Sequence, residues 1–368
     1  MTTAPAVDPI DLDLEPDDRL IRDEFERLLA DQDGAARLRA LLTTQGEFDR
    51  ALWGQLTDLG WLAAALPVEE GGLALGLRTR CRMAEALGRH LAATPFIVTT
   101  SALAALAALG APAPLGDWAS AGAVVTLACF EAPDADIPTG PRTEWREGRL
   151  YGRKTSVAAG RFADHALVQA RDADGKVVIV LADLAAAGVV RLGGETLDNS
   201  RGYAAVEFDG VAAARVGGGE VLDGLLDQIA LATAFEQVGG AQACLEAARD
   251  HALQRWAFGK VIGANQAVKH LLADMYVQIE LAKGAAGAAL RLPASDLAAA
   301  AAGARLAASQ AYDFCAQEAI QLHGAMGATW DSPLHLHYRR ARCLALEWGG
   351  PPMWRRRMLG AVMRELAA

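Results

Sequence analysis

The stretch that decides the fold runs from Gln254 to Lys269, QRWAFGKVIGANQAVK. It reads as the end of one helix, a tight glycine-punctuated turn and the start of another. Arg255 is the last strong cation of the first helix. Gly259 and Gly263 break the pattern, and Asn265 is placed to cap the second helix. Beyond it Val268, Leu271, Leu272, Met275 and Ile279 recur at helical spacing. The turn gathers a guanidinium (Arg255), an aromatic face (Phe258), backbone N–H groups at a helix start and an amide (Gln266). Such groups suit a large anionic cofactor, because a diphosphate takes Arg and helix N-termini and a ring takes a flat neighbour. Helix–turn–helix segments are also common as plain packing, so residue chemistry alone leaves both readings open.

The bulk numbers narrow the field. The 368 residues suffice for two or three domains with a sizeable core, and 52% hydrophobic content excludes a disordered chain. A net charge of −10 argues against nucleic-acid binding. No apolar run reaches the length of a membrane span, and the acidic N-terminus lacks a signal-type apolar segment. The expectation is a cytoplasmic protein that avoids membranes. Five scattered cysteines, with no C-x-x-C, read as buried thiols in a reducing compartment.

Along the chain, residues 1 to about 17 are rich in acids and proline and read as a loose arm. From Arg19 to about Leu115 apolar stripes repeat at helical spacing, interrupted by the loop GWLAAALPVEEGGLAL (Gly60 to Leu75). From Ala121 to about Val216 the period drops to two, in short runs bounded by Gly, Asp or Pro. These strands are too short and too close together for crossover helices, which predicts a small antiparallel β-domain. From Val221 onward the pattern is helical again.

Arg255, Phe258, Gly259 and Gln266, with the segments on either side, resemble the flavin-binding signature of the acyl-CoA dehydrogenase family. The loop from Gly60 resembles a segment of that family's helical domain, with Ala74 where the last Gly usually stands. AIQLHGAMG (Ala319 to Gly327) resembles a second family signature, with Gln321, Gly324, Ala325 and Gly327. Small residues there let backbone N–H groups approach a diphosphate. The resemblance implies an α+β fold: an N-terminal helical domain (1–117), a central antiparallel β-domain (118–220) and a C-terminal four-helix bundle (221–368). It implies FAD as cofactor, an acyl-CoA substrate and an electron-transfer acceptor. It also implies an oligomer, because the second signature reaches a flavin bound mainly by a neighbouring subunit.

Several family positions are changed. CFEAPDAD (Cys129 to Asp136) and LYGRKTSVAAG (Leu150 to Gly160) stand for the two segments that flank the flavin ring. Ser156 takes the place of a Trp and Ala158 that of a Thr, so neither covers the ring nor donates to it. The reaction removes a proton alpha to a thioester, which needs a suitably dry carboxylate. The usual late position for that base holds Trp348, with Glu347 one residue earlier. The alternative position, ahead of Arg255, holds Ile229; Asp227 is about 200° of helix rotation away.

Other groups have plainer readings. Glu236, Glu246 and Glu280 read as solvated or paired helix residues. Arg339, Arg340, Arg342 and Arg355 to Arg357 read as surface or interface pairs. His335 and His337 lack acidic or Cys partners at ligand spacing, so no metal is expected. Trp330 and Asp331 read as structural. Two functions are then open. One is a self-sufficient homotetrameric dehydrogenase using Glu347 as base. The other, favoured by the loss of both bases and the thinned middle motif, is the base-lacking partner in a heterotetramer with a second dehydrogenase-like subunit. TWDSPLHLHYRRA resembles such partners, some of which act on steroid side-chain thioesters. A non-dehydrogenase flavin-fold protein is the remaining alternative.

Overall fold

The structure, a computed structural model, describes residues 16–44, 46–132 and 136–367. The expected loose arm lies outside the described residues as far as residue 15, and a helix already begins at Pro16. Six helices come first: α1 (Pro16–Ala30), α2 (Gly34–Leu41), α3 (Arg50–Asp58), α4 (Leu77–Arg89), α5 (Phe96–Ala108) and α6 (Leu115–Ser120). The boundary expected near Asp117 falls inside α6. In the loop from Gly60, Ala74 takes the left-handed φ of +51° that a family Gly would adopt without strain.

Seven strands come next: β1 (Val125–Ala128), β2 (Glu144–Arg146), β3 (Arg149–Val157), β4 (His165–Arg171), β5 (Val177–Asp183), β6 (Val189–Gly193) and β7 (Ala204–Gly218). Most pairs are antiparallel, but β1 runs parallel to β4 in register from Val125 opposite His165. The sheet curls until β4 meets both β2 and β5, and β6 pairs with β7. Sequence periodicity missed β2 and β6, which are partly exposed, and β3, whose buried residues do not alternate.

The chain ends in α7 (Gly219–Gln254), a hairpin of β8 (Trp256–Ala257) and β9 (Lys260–Val261), α8 (Gln266–Ala289), α9 (Leu297–His323), α10 (Leu334–Leu346) and α11 (Pro351–Ala367). α7 is apolar almost all round, with Ile229, Leu231, Phe235 and Val238 buried, because it is wrapped on both sides. On one side it crosses α4 so closely that a Cβ on Gly88 would sit 1.8 Å from the Glu236 carbonyl oxygen. A Cβ on Gly239 would sit 1.9 Å from the Glu85 carbonyl oxygen. That contact joins the N-terminal helices to the bundle and buries Glu236. Among the described residues no helix is long and apolar enough to cross a membrane.

Candidate active site

The two flavin-type signatures lie at one end of the bundle. Arg255 caps the C-terminus of α7 in extended conformation, and the next residues form the hairpin β8–β9. Phe258 and Gly259 are its two-residue turn, with φ of +53° and +78°, the pattern of a type I′ turn. Phe258 is wholly exposed at the tip. Asn265 sits at the N-cap of α8, but its side chain makes no cap hydrogen bond, contrary to expectation. Gln266 opens α8 with its side chain exposed. At the end of α9, Gln321, Gly324 and Ala325 are exposed too. The His251 and His323 rings stack at 4.0 Å between centroids and tie the end of α7 to the end of α9. Sequence reasoning gave no hint of that stack, because its two histidines sit in separate helices.

This end suits a dinucleotide. Arg255 makes no ion pair among the described residues, and nothing lies within 4 Å of where a Cβ on Gly259 or Gly324 would stand. The β-domain side does not suit it equally. Ser156 is exposed at a bulge with φ of +51°, and Ala158 is buried with only its carbonyl oxygen engaged, by the Thr126 hydroxyl at 2.6 Å. In the other flanking segment, Glu131 accepts from the fully buried Lys154 at 2.8 Å and from the backbone of Arg142 and Thr143. Burial pushes the Glu131 carboxyl up, but these partners, Lys154 first, hold it down at about 2. Pro133 to Ala135 lie outside the described residues.

A cavity lies where α4, α5, the end of β3 and the α10–α11 turn converge, with Leu87, Pro95, Ile97 and Val98 on its apolar wall. Its polar floor, Arg201, Glu236 and Glu347, belongs to a buried network of three carboxylates and three guanidiniums that the sequence did not reveal. Glu347, 4% exposed, ends α10 and points inward. Arg201 donates to both its oxygens, through Nε to Oε2 at 3.0 Å and through Nη2 to Oε1, and the Tyr203 hydroxyl donates to Oε2. Arg201 also reaches Glu236 Oε1 at 3.2 Å. Arg340 joins Glu236 at 3.3 Å to Asp198 at 2.5 Å. Arg305 donates to the Glu347 carbonyl at 3.1 Å and to that of Leu344, so it satisfies the C-terminal carbonyls of α10. Burial pushes the Glu347 carboxyl up, but Arg201, Tyr203 and Arg305 together outweigh it and hold it below the usual range. Trp348 is next at a left-handed φ of +61°, uncommon for a bulky residue, and also lines the cavity.

The remaining candidates fall elsewhere. Ile229 is fully buried in α7, and Asp227 pairs with Arg357 at 2.9 Å. Arg340, expected at a surface or interface, is wholly buried, because Asp198, Glu236 and the Ala92 carbonyl surround its guanidinium. Arg342 pairs with Asp313, Arg356 with Asp136 and Arg357 with Asp223 and Asp227. Glu246 pairs with Arg89 and Glu280 with Lys283. His337 is buried against the Tyr312 hydroxyl at 2.9 Å, and His335 stacks on Trp330. The carbonyls of Trp330 and Asp331 accept from Arg39.

Known proteins resemble this chain in sequence and fold. A family model described as acyl-CoA dehydrogenase, N-terminal domain, matches residues 15–118, and one described as acyl-CoA dehydrogenase, C-terminal domain, matches residues 217–363. The chain is 31% identical over 334 residues to acyl-CoA dehydrogenase IpdE2 of Mycobacterium tuberculosis, covering 89% of this chain and 91% of that protein. A solved variant of the Tcur3481-Tcur3483 steroid ACAD superposes with a TM-score of 0.87 at 29% identity, over 96% of this chain and 99% of the other. The ChsE4-ChsE5 complex from Mycobacterium tuberculosis gives 0.84 at 27% identity, over 96% and 98%. The chain belongs to the acyl-CoA dehydrogenase family of FAD-dependent oxidoreductases.

Proposed function

We propose that this chain is the base-lacking subunit of a heteromeric acyl-CoA dehydrogenase that forms the alpha,beta double bond of a bulky CoA thioester, with steroid side-chain thioesters as the substrate class. The observation that carries this reading is the state of the base position. Trp348 occupies it, and the neighbouring Glu347 already spends both oxygens on Arg201 and Tyr203. In the reaction a carboxylate takes the alpha proton while a hydride leaves the beta carbon. FAD, when bound, accepts that hydride. The carboxylate is assigned to the second subunit, and the electrons pass on to a separate electron-transfer acceptor.

The chain's own part is binding. Arg255 would hold the diphosphate of a flavin seated mainly on the neighbour, Phe258 would offer its ring to an aromatic portion, and Gln266, Gln321, Gly324 and Ala325 would border it. The three units, 1–117, 118–220 and 221–368, then divide the work: the last supplies the cofactor contacts and the first two close the cleft. The heteromer and the steroid substrate draw on the likeness to the steroid ACAD and to the ChsE4-ChsE5 complex. We place the enzyme in the cytoplasm, where acyl-CoA thioesters and reduced thiols such as its five buried cysteines coexist.

One observation favours the homotetramer as a second reading: Glu347 does line the cavity. The deciding experiment records the visible spectrum and solution mass of the chain purified alone, then of the chain co-expressed with a second dehydrogenase-like chain. Flavin and thioester-driven bleaching that require co-expression support the heteromer. A yellow homotetramer that bleaches by itself overturns it.

A further inference from the structure

We infer that the Arg201–Glu347 ion pair is a latch that closes this chain's own acyl cleft, so that the subunit takes no acyl thioester at its cavity. The inference rests on the partner-subunit reading, because an idle cleft is harmless only where another chain holds the reacting thioester.

The cavity has the makings of an acyl site. Leu87, Pro95, Ile97, Val98 and Phe162 give it an apolar wall, and the small Ala158 and Ala159 continue that lining. What spoils it is the floor. Arg201 enters from the turn before β7 and is held from two sides, by Glu347 from α10 and Glu236 from α7. A flexible surface arginine would swing aside for an incoming chain. This one is anchored by three hydrogen bonds to carboxylates it shares with Tyr203 and Arg340. Glu236 also lines the cavity, and its Oε2 has no partner among the described residues. That oxygen is already out of contact with solvent, and a hydrocarbon tail laid against it would offer it no hydrogen bond. Displacing Arg201 would leave buried Glu347 without a cation on its carboxylate, with only the Tyr203 hydroxyl, and would leave Glu236 with Arg340 alone, which opposes entry of an acyl chain.

The network balances three carboxylates, Asp198, Glu236 and Glu347, against three guanidiniums, Arg201, Arg305 and Arg340. The latch is therefore best removed as a pair. Arg201→Ala with Glu347→Ala leaves two of each sign, with Glu236 and Asp198 still bound to Arg340.

The test is isothermal titration of octanoyl-CoA and a longer saturated acyl-CoA into the full protein, in complex with its second subunit. The wild-type complex is expected to bind thioester only at the sites of the second subunit. The double variant is expected to gain a further site per copy of this chain, or at least a tenfold rise in affinity for the longer thioester there. Should that variant fail to fold, Arg201→Leu with Glu347→Gln keeps the volume and the charge balance. It replaces an anchored ion with a side chain that can move, and a gain of about threefold is expected. A folded variant that gains no site overturns the latch and leaves the partner reading standing. Wild-type thioester binding to this chain, together with turnover that Glu347→Gln abolishes, would overturn both.

Discussion

Arg201 donates to both oxygens of Glu347 and the Tyr203 hydroxyl donates to one, so proton abstraction there would first have to dissolve a buried ion pair. Glu347→Gln separates a structural carboxylate from a catalytic one. Breaking one side of a buried pair costs about 3–5 kcal/mol, and Glu236 remains beside Arg201, so a loss of about 3 kcal/mol in denaturant unfolding is expected. Flavin reduction by the thioester in the complex should be nearly unchanged. A rate drop of about 10²-fold or more with intact stability would instead make Glu347 the base. The network also sets the response to acid. Asp198 and Glu347 are both held below their ordinary values, 3.8 and 4.5, by arginines that outweigh burial. Their stabilisation is complete above those values and is lost as pH falls below them. His337 acts earlier. Burial, with Arg340 nearby, lowers it to about 3 from 6.5, so the unfolded chain binds a proton that the folded chain refuses. Stability therefore falls on acidification from 6.5 to about 3, by about 1.4 kcal/mol per pH unit at most. His337→Gln should remove about one proton from the pH slope of unfolding between about pH 6 and 4. An unaltered slope would place that proton uptake elsewhere.

At the scale of elements, the hairpin β8–β9 and the loop before α4 show what local sequence can and cannot carry. Arg255, Phe258 and Gly259 are adjacent in sequence and adjacent in the turn, so the motif was legible as residues. That the turn is a hairpin with two left-handed residues was not, because periodicity is blind to two-residue strands. Phe258 touches so little of its own chain that Phe258→Ala should leave unfolding within about 0.5 kcal/mol. FAD retention by the complex, followed by flavin fluorescence on dilution, should weaken about threefold to tenfold through the lost aromatic contact. Unchanged retention would remove Phe258 from the cofactor site. The substituted glycine position was legible too, and its consequence is physical: Ala74 holds φ of +51° on an exposed loop. Ala74→Gly should raise stability by up to about 1 kcal/mol in thermal unfolding. The buried network was illegible for the opposite reason. Arg201 and Glu347 are 146 residues apart, and Arg340 and Asp198 are 142 apart. Each reads locally as an ordinary polar residue on a helix or turn. Glu236 reads as a helix-surface acid until α4 crosses α7 at Gly88 and Gly239 and Arg201 and Arg340 close on its carboxylate, contacts that no local pattern shows.

For the whole molecule, the bundle leaves apolar side chains exposed on α11, at Leu359, Met363 and Leu366, and on α8 beside the hairpin. α8 packs Met275 and Ile279, two of the residues the helical spacing picks out, together with Ala282 and Ala286 against α7 and α9. Its other side exposes Tyr276 and Val277, with Leu281 about one turn beyond, each about half to three-fifths accessible. The hairpin tip adds Trp256 and Phe258 at the start of the same helix, and Leu253 adds to them from the end of α7. Apolar surface concentrated along one helix, beside groups fitted for a cofactor, marks an association face and not scattered surface residues. Flavin retention and subunit association should therefore fail together. Leu281→Asp places a charge on that face, at the end away from the hairpin and its cofactor residues. It should weaken association at least about tenfold, seen as a lower mass in sedimentation at micromolar concentration. The flavin band should fall in proportion to the assembly lost, while helix content by circular dichroism stays constant. If the variant loses assembly but keeps its flavin, the cofactor is held within this chain alone and Arg255 and Phe258 serve their own subunit. If it keeps both, the covered face lies elsewhere on the bundle.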